Sequence, residues 1–325
     1  MAPKTITIIG SLNTDLVTLT PRVPSGGETL TATSFSTGPG GKGANQAVAC
    51  ARLSRPNPRG TASPITQDVA VKMVGAVGAD AFGTRLISGM KEDDIDTSGI
   101  RVVEGKSTGV AVILVEESSG ENRILLSNGA NHSLQPSDFL TPESLGTPLP
   151  DLIILQLEIP LDTVLQILET ARKAGVDVLL NPAPAVKLPD HIYSAVTHLI
   201  VNESEAALLT SRSVSSVEAS DFPWDTVTSE FLQKGVKNVI VTLGSKGAFF
   251  ASSGQEKGDF VPAAKVKKVV DTTAAGDTFV GAYAVNVVRG NVDLGSVVRL
   301  ACKAAGRTVE KEGAQSAIPW ADEVD

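Results

Sequence analysis

The chain has 325 residues, 42% of them hydrophobic, and a formal net charge of −8. That length and apolar content support the core of one large α/β unit or two medium ones, and the acidic balance argues against a general nucleic-acid or anionic-membrane binder. The two cysteines, Cys50 and Cys302, have no CxxC spacing; they exclude a disulfide scaffold and fit a reducing compartment.

The opening "MAPKTITIIGSLNTD" passes from one lysine straight into a short alternating strand, without the pattern of a signal peptide. No apolar run reaches the roughly 18 residues of a membrane span, so the expectation is a soluble cytoplasmic protein, with nuclear entry left open. Short β-rich runs follow: "TITIIG", "VKMVGAVG", "DLIILQL", "VDVLLNP", "THLIVNE" and "KNVIVTLG". Between two of them, "LDTVLQILETARKAG" has helical periodicity and a closing glycine, which makes a βαβ unit. Repetition of such units predicts an α/β fold of three layers, α/β/α, around a mostly parallel sheet, with ligand beyond the carboxyl ends of the strands.

Residues 12–37 and about 100–127 break this rhythm: they alternate polar and apolar residues and carry no helix between strands. They predict antiparallel strands of a small separate sheet, placed to cover the site as a lid within one unit spanning 1–325. The Pro- and Ser-rich segments 54–68 and 211–225 read as surface insertions. No internal repeat of solenoid length is present.

Two stretches carry candidate chemistry. "STGPGGKGANQAVACARL" matches GxGxxG formally, but it lies far from the first strand and lacks the acid that a dinucleotide site requires, and Ala44 stands where a P-loop needs lysine. What remains is a glycine turn (Gly38, Gly40, Gly41, Gly43) with Lys42 and a helix starting near Ala44 that carries Asn45. It serves either tight packing or hydrogen bonding to hydroxyls and phosphates. In "DTTAAGDTFVGAY" a helix starting near Ala274 exposes first-turn amides at Ala275, Gly276 and Asp277, an anion hole that small side chains leave open. Asp277 is then either a stabilising first-turn acid or the acceptor of a hydroxyl proton. A carboxylate at a helix N-terminus is expected to have a low pKa, which phosphoryl transfer tolerates better than acyl transfer.

In "VNESEAALL", Asn202 either caps a helix or, with Glu205, holds the water shell of Mg²⁺. "VTLGSKGAFF", with Thr242, Gly244, Ser245 and Gly247, is a simple hairpin or the floor of a nucleotide site. Asn13 and Asp15, two apart in "LNTD", share a strand face that is solvated or recognises a polyol. His132, His191 and His198 have no metal-ligand spacing.

From "GSLNTDLV" to "EKEGAQSAIPW" the chain resembles the ribokinase family of ATP-dependent sugar kinases, on the signatures "GGKGANQAVACARL" and "DTTAAGDTFVGAY" with an upstream "NTD". The resemblance implies ATP-dependent phosphorylation of D-ribose at its 5-hydroxyl. Asn13, Asp15, Gly41, Lys42, Asn45 and Glu158 would hold the sugar, Asp277 would be the base, and the amides of Ala274, Ala275 and Gly276 the anion hole. It assigns Asn202 and Glu205 to magnesium and Thr242, Gly244, Ser245 and Gly247 to the nucleotide. Asp271, Thr273, Thr308, Lys311 and Gly313 would surround K⁺, mostly through carbonyls. It also implies a homodimer through the lid sheets. One departure touches the cation site: Ala317 stands where the family often has a serine, with Ser316 beside it as a substitute. Rival readings are a kinase for another sugar or a nucleoside, which an aromatic content of 4% disfavours for a purine pocket, and a non-catalytic sensor on the same fold.

Overall fold

The computed structural model describes residues 2–58, 60, 68–219, 221–290 and 293–324, so most of the 54–68 insertion lies outside the described residues. The strands are β1 (Lys4–Ile9), β2 (Asn13–Thr20), β3 (Ser34–Gly40), β4 (Val69–Gly78), β5 (Asp96–Val103), β6 (Gly109–Glu116), β7 (Asn122–Ser127), β8 (Leu152–Leu155), β9 (Asp177–Leu180), β10 (His198–Asn202), β11 (Asn238–Thr242), β12 (Gly247–Ser252) and β13 (Asp259–Pro262). The helices are α1 (Lys42–Leu53), α2 (Ala81–Glu92), α3 (Leu161–Ala174), α4 (Glu203–Leu209), α5 (Val214–Val217), α6 (Trp224–Gln233), α7 (Ala275–Val288) and α8 (Leu294–Thr308).

Nine strands form one sheet in the order β13-β12-β11-β10-β9-β8-β1-β4-β5. From β11 to β5 every pairing is parallel, and β12 and β13 close one side as antiparallel strands. The apolar runs of β1 and β8 are buried on both faces, as a covered parallel sheet requires. One core gathers α1, α7 and α8 on one face and the other gathers α3 and α6 on the opposite face, giving the expected three layers. Helix α7 is apolar almost all round and buried along most of its length, so it sits between neighbours rather than at the surface. No helix among the described residues is long and apolar enough to cross a membrane.

The smaller sheet has the order β3-β2-β6-β7. Two details differ from expectation. Residues 100–103 belong to β5 of the large sheet, because the stretch continues the β4–β5 pairing before the chain crosses to the small one. Strands β2 and β6 pair in parallel, with antiparallel hairpins on either side, since both enter the small sheet from the large one at the same end. Segment 211–225 contains the one-turn α5 and the start of α6 rather than loop alone.

The C-terminal segment is clamped onto α1. Arg52 binds the Asp93 carboxylate at 2.9 Å and donates to the carbonyls of Gln315 and Ile318 at 2.6 and 3.2 Å. Arg52 and Arg55 both lie 5.5 Å from the centroid of the Trp320 ring. Removing the cation strands a buried carboxylate and two carbonyls. Arg52→Met is therefore expected to cost about 3 kcal/mol of stability, read as a lower denaturant midpoint at unchanged m. A midpoint within error of wild type would show that the clamp carries no load.

Candidate active site

The loops after β1, β8, β9, β10 and β11 leave the sheet at its carboxyl edge, where the lid strands β2 and β3 also begin and end. The sheet brings the dispersed motifs together there. Asp277, 7% exposed in the first turn of α7, accepts from Asn45 Nδ2 at 3.0 Å through Oδ2 and from Gln46 Nε2 at 2.9 Å through Oδ1. Burial raises its pKa above the usual carboxylate value, against the opposing pull of Lys42, Asn45 and Gln46, and Glu158 pushes the same way as burial. This corrects the low pKa expected from the helix terminus: desolvation outweighs the donors and the dipole. A carboxylate lifted in this way is a better proton acceptor.

Ala274, the residue before α7, adopts a left-handed conformation with φ of 59°. An alanine there is strained, and the strain persists where surrounding structure imposes it. It sets the turn into α7, in whose first turn Gly276 is exposed. The Ala275 amide is partly engaged, donating to Thr272 O at 3.3 Å, whereas those of Gly276 and Asp277 have no intrahelical acceptor by position. A Cβ at Gly276 would meet no atom within 4 Å, so the glycine leaves space above the amides.

The glycine stretch differs from expectation. Gly38 and Gly40 are strand residues of β3, and α1 begins at Lys42, two residues before the position predicted. Only Gly41 has the left-handed backbone, with φ of 88°. A Cβ at Gly40 would collide with the carboxylate of Asp15, and one at Gly43 with the backbone of Gly10 and Ser11. These glycines serve close approach, the packing alternative, and in doing so bring the N-terminus of α1 to the site.

On the lid side, Asn13 is buried and Asp15 half-buried on one face of β2. Asn13 Oδ1 accepts from Asn131 Nδ2 at 2.7 Å. Glu158 Oε2 accepts from Ser11 Oγ at 2.6 Å, the Lys42 amide at 3.0 Å and, at 3.4 Å, Asn13 Nδ2. One oxygen is thus crowded with donors, which fixes the carboxylate with Oε1 on the other side. Desolvation, helped by Glu158 and Asp277, pushes the Asp15 pKa up to about 7. Burial acts to lower the pKa of Lys42, but Asp277, Glu158 and Glu205 around it hold it above the ordinary value, so the ammonium stays charged among these carboxylates.

Asp15 carries a stability consequence. With a folded pKa near 7 and an ordinary value of 3.8, the folded chain holds more protons than the unfolded chain between those limits. Stability therefore falls as pH rises through that window and levels off above it. Asp15→Asn is expected to gain thermal stability over wild type at pH 8 but little at pH 4. Equal differences at both values in scanning calorimetry would refute the assignment.

At the end of β10, Asn202 and Glu205 form a reciprocal cap, Oδ1 to the Glu205 amide and Oε2 to the Asn202 amide, both at 2.8 Å. The cap does not exhaust Glu205. Burial raises its pKa while Lys42 opposes the rise, which places its carboxylate within the field of the site. Thr242 ends β11, and Gly244, Ser245 and Gly247 form the turn into β12, so this stretch is a hairpin in form. Glu203 and Lys246 tie that turn to α4 at 2.9 Å. Next to it, where Pro262 pairs with Gly247, lies a cleft of about 350 Å³ whose lining includes Ala264, Cys302 and Gly306 with the exposed cations Lys265, Arg299 and Lys303. Burial pushes the Cys302 thiol up to about 11, so it lines the cleft as an inert group.

Asp271 joins the loop before α7 to the C-terminal segment: Oδ1 accepts from Thr273 N at 2.9 Å and Oγ1 at 2.6 Å, and Oδ2 from Gly313 N at 2.9 Å. Thr308 donates to Thr278 Oγ1 at 2.8 Å. The Lys311 ammonium points away to Glu323 at 3.4 Å. Ala317 is buried, and Ser316, beside Gly313, donates to Glu312 O at 3.0 Å. His198 is buried against Tyr283 at 2.8 Å, its pKa lowered by burial to about 4, in a neutral structural role.

Sequence reading missed Ser11, Gln46, Asn131, Gln156 and Asn181, all polar groups bonded into the site. A signal existed for two: Gln46 and Gln156 interrupt otherwise apolar runs, "ANQAVA" and "LIILQLE", where a buried amide needs partners.

The chain is 46% identical over 323 residues to a ribokinase of Schizosaccharomyces pombe, covering 98% of this chain and 96% of that one. It is 37% identical over 320 residues to a deoxyribokinase of Salmonella typhi, covering 97% and 95%. Among solved structures, a ribokinase of Arabidopsis thaliana complexed with ribose and ATP superposes with a TM-score of 0.85 at 30% identity, over 100% of this chain and 98% of that one. The sequence profile described as pfkB family carbohydrate kinase matches residues 3–321, and with the large sheet, the small sheet and the converged motifs in place, the chain belongs to the pfkB family of carbohydrate kinases.

Proposed function

We propose that the protein transfers the γ-phosphoryl group of ATP to the 5-hydroxyl of D-ribose, giving ribose 5-phosphate and ADP. The observation that carries this reading is the convergence of Asp277, Lys42 and Glu158 at the N-terminus of α7, beside a half-buried carboxylate on the lid. Asn13, Asp15, Gly41, Lys42, Asn45 and the Oε1 side of Glu158 hold the sugar hydroxyls. Asn45 Oδ1 is buried without a protein partner, which suits a hydroxyl donor.

Asp277 accepts the proton of the attacking hydroxyl. That oxygen bonds to the γ-phosphorus, and the bond from phosphorus to the bridging oxygen breaks, leaving with ADP. The amides of Gly276 and Asp277, with Ala274 and Ala275 shaping the turn, stabilise the equatorial oxygens as charge redistributes. Lys42 adds a fixed positive charge. Thr242, Gly244, Ser245 and Gly247 support the nucleotide phosphates, and the adjoining cleft has the size and basic border for the rest of the nucleotide.

Glu205, an acid buried near the phosphate path with one carboxylate oxygen outside the cap, fits a water-held Mg²⁺ together with Asn202. Bound there, Mg²⁺ supplies charge neutralisation on ATP. The Asp271 carboxylate ties the loop holding Thr273 to Gly313 of the C-terminal segment, which supports a K⁺ site drawing on hard oxygens of Asp271, Thr273, Thr308, Lys311 and Gly313; K⁺ there would strengthen the neighbouring anion hole. The lid sheet, exposing Phe35, Ile124, Leu125 and Leu126, suits pairing with a second copy of the chain, so the whole chain works as one catalytic unit in a homodimer.

The test is ADP release with ATP and Mg²⁺ against ribose, deoxyribose, fructose and adenosine, each with and without K⁺. Ribose-dependent turnover raised by K⁺ is expected. Preference for deoxyribose would keep the mechanism and move the acceptor, and turnover indifferent to K⁺ would remove the cation site.

A further inference from the structure

Asp277 is held by a chain of buried amides whose polarity is set far from the reacting atoms. Gln46, fully buried on α1, donates Nε2 to Asp277 Oδ1 at 2.9 Å and also approaches Asn181 Oδ1 at 3.1 Å. Its own Oε1 accepts from Gln156 Nε2 at 2.6 Å, and Gln156 is fully buried as well. Asn181 donates Nδ2 to the carbonyl of Ile200 on β10 at 2.9 Å. A carbonyl can only accept, so Asn181 must turn its oxygen toward Gln46. Two acceptors, Asn181 Oδ1 and Asp277 Oδ1, then face Gln46 on one side and demand its NH₂ group. Its oxygen is left for Gln156, and each amide has one orientation.

We propose that Gln46 is a positioning residue for the base, fixed in polarity by Asn181 and Gln156, and that together with Asn45 it locks the plane of the Asp277 carboxylate. The proposal rests on the reading of Asp277 as the base. Donors on two different oxygens fix a carboxylate plane, which one donor alone leaves free to swing. Alignment is most of what a loose phosphoryl-transfer transition state asks of its protein, so the plane matters to rate. The same donors favour the ionised form that accepts the proton. The other charged groups facing Asp277 are Lys42 on α1, Glu158 after β8, Asp15 on β2 and Glu205 on α4. None of them is altered by a change at Gln46, so a shift in the titration of the base reports the lost donor.

The decisive variant is Gln46→Met, which keeps length and apolar volume and removes both polar atoms. Single-turnover rate with saturating ATP and ribose is measured from pH 5 to 9, alongside ribose affinity and thermal midpoint. The expected result is a rate about tenfold or more lower at pH 7, ribose affinity within about threefold of wild type, and an acid limb displaced to higher pH. An acid limb at its wild-type position overturns the proposal, whatever happens to the thermal midpoint, because a purely structural role would lower stability without moving the titration. If Gln46→Met fails to fold, Gln156→Leu decides: it does not touch Asp277, and the same displacement in smaller measure is expected, with an unmoved limb again overturning the proposal. Asp277→Asn, run in parallel, separates the two readings. Substantial turnover in that variant removes the base itself, whereas its inactivity beside an unmoved limb in Gln46→Met removes only the amide chain.

Discussion

Asp277→Asn is expected to lose about 10²- to 10⁴-fold in turnover while binding of ribose and ATP stays within about threefold, the range associated with removing a general base. The structure explains why the variant should fold. In wild type the two carboxylate oxygens take one N–H each, from Asn45 and Gln46. An asparagine offers one oxygen and one NH₂, so one of these neighbours must present an acceptor instead. Asn45 can do so, because its Oδ1 has no partner in the protein: a half-turn of the amide brings that oxygen to the new donor and turns Nδ2 to the sugar, whose hydroxyl can accept as well as donate. Burial disfavours the Asp277 carboxylate, so replacing it with a neutral amide should raise the thermal midpoint in neutral and alkaline buffer rather than lower it. Lost turnover with gained stability is the signature of a group retained for chemistry. Parallel steady-state kinetics, ligand titration and thermal melts check it; near-normal turnover would remove Asp277 as the base.

Gly276→Ala is expected to separate the same two quantities at a position with no ionisable group. A Cβ at Gly276 would meet no protein atom within 4 Å, and the residue lies in the first turn of α7, with no left-handed backbone to strain an alanine. The free protein should therefore gain up to about 1 kcal/mol, chiefly because the unfolded chain has fewer conformations to lose. The empty space above Gly276 is where the transferring phosphoryl group must approach the amides. A methyl there pushes the group back by more than about 1 Å, a displacement that costs on the order of 100-fold in rate. Turnover is thus expected to fall about 100-fold or more, with the affinity for ribose unchanged. Activity within about threefold of wild type would mean that the phosphoryl group does not pass over Gly276.

These two substitutions mark how far the sequence could be read. The parallel sheet was legible because the β-rich runs and the periodicity of "LDTVLQILETARKAG" report burial directly, and all six named runs fall in strands of the large sheet. The lid was legible in its alternation but not in its pairing. Residues 100–103 carry the same Val-rich pattern whether they join β4 or the lid, and nothing local chooses between them. Parallel pairing of β2 with β6 depends on where two distant segments leave the large sheet.

The active site divides along the same line. Spacing within a motif determined that Asp277 sits in a first helical turn, that Asn13 and Asp15 share a strand face, and that Gly276 leaves its turn open, because local geometry follows from a few consecutive residues. Charge state did not follow. A helix terminus alone predicts a depressed carboxylate, and only the packing of α1 against α7, with β1 beside it, supplies the desolvation that reverses the sign. The glycines of "GPGGKG" left tight packing and a phosphate turn equally open, and only the fold shows Asp15 and Ser11 coming against Gly40 and Gly43 from another part of the chain. Gln46 and Gln156 showed only that they interrupt apolar runs, and Asn181 showed nothing, for the same reason. A buried amide reveals its role through its partners, and those partners lie 110 and 135 residues from Gln46 along the chain. The sequence by itself determined the elements, their buried faces and the residues within each motif; tertiary structure decided desolvation, hydrogen-bond partners and protonation, because these depend on neighbours that only the folded chain brings together.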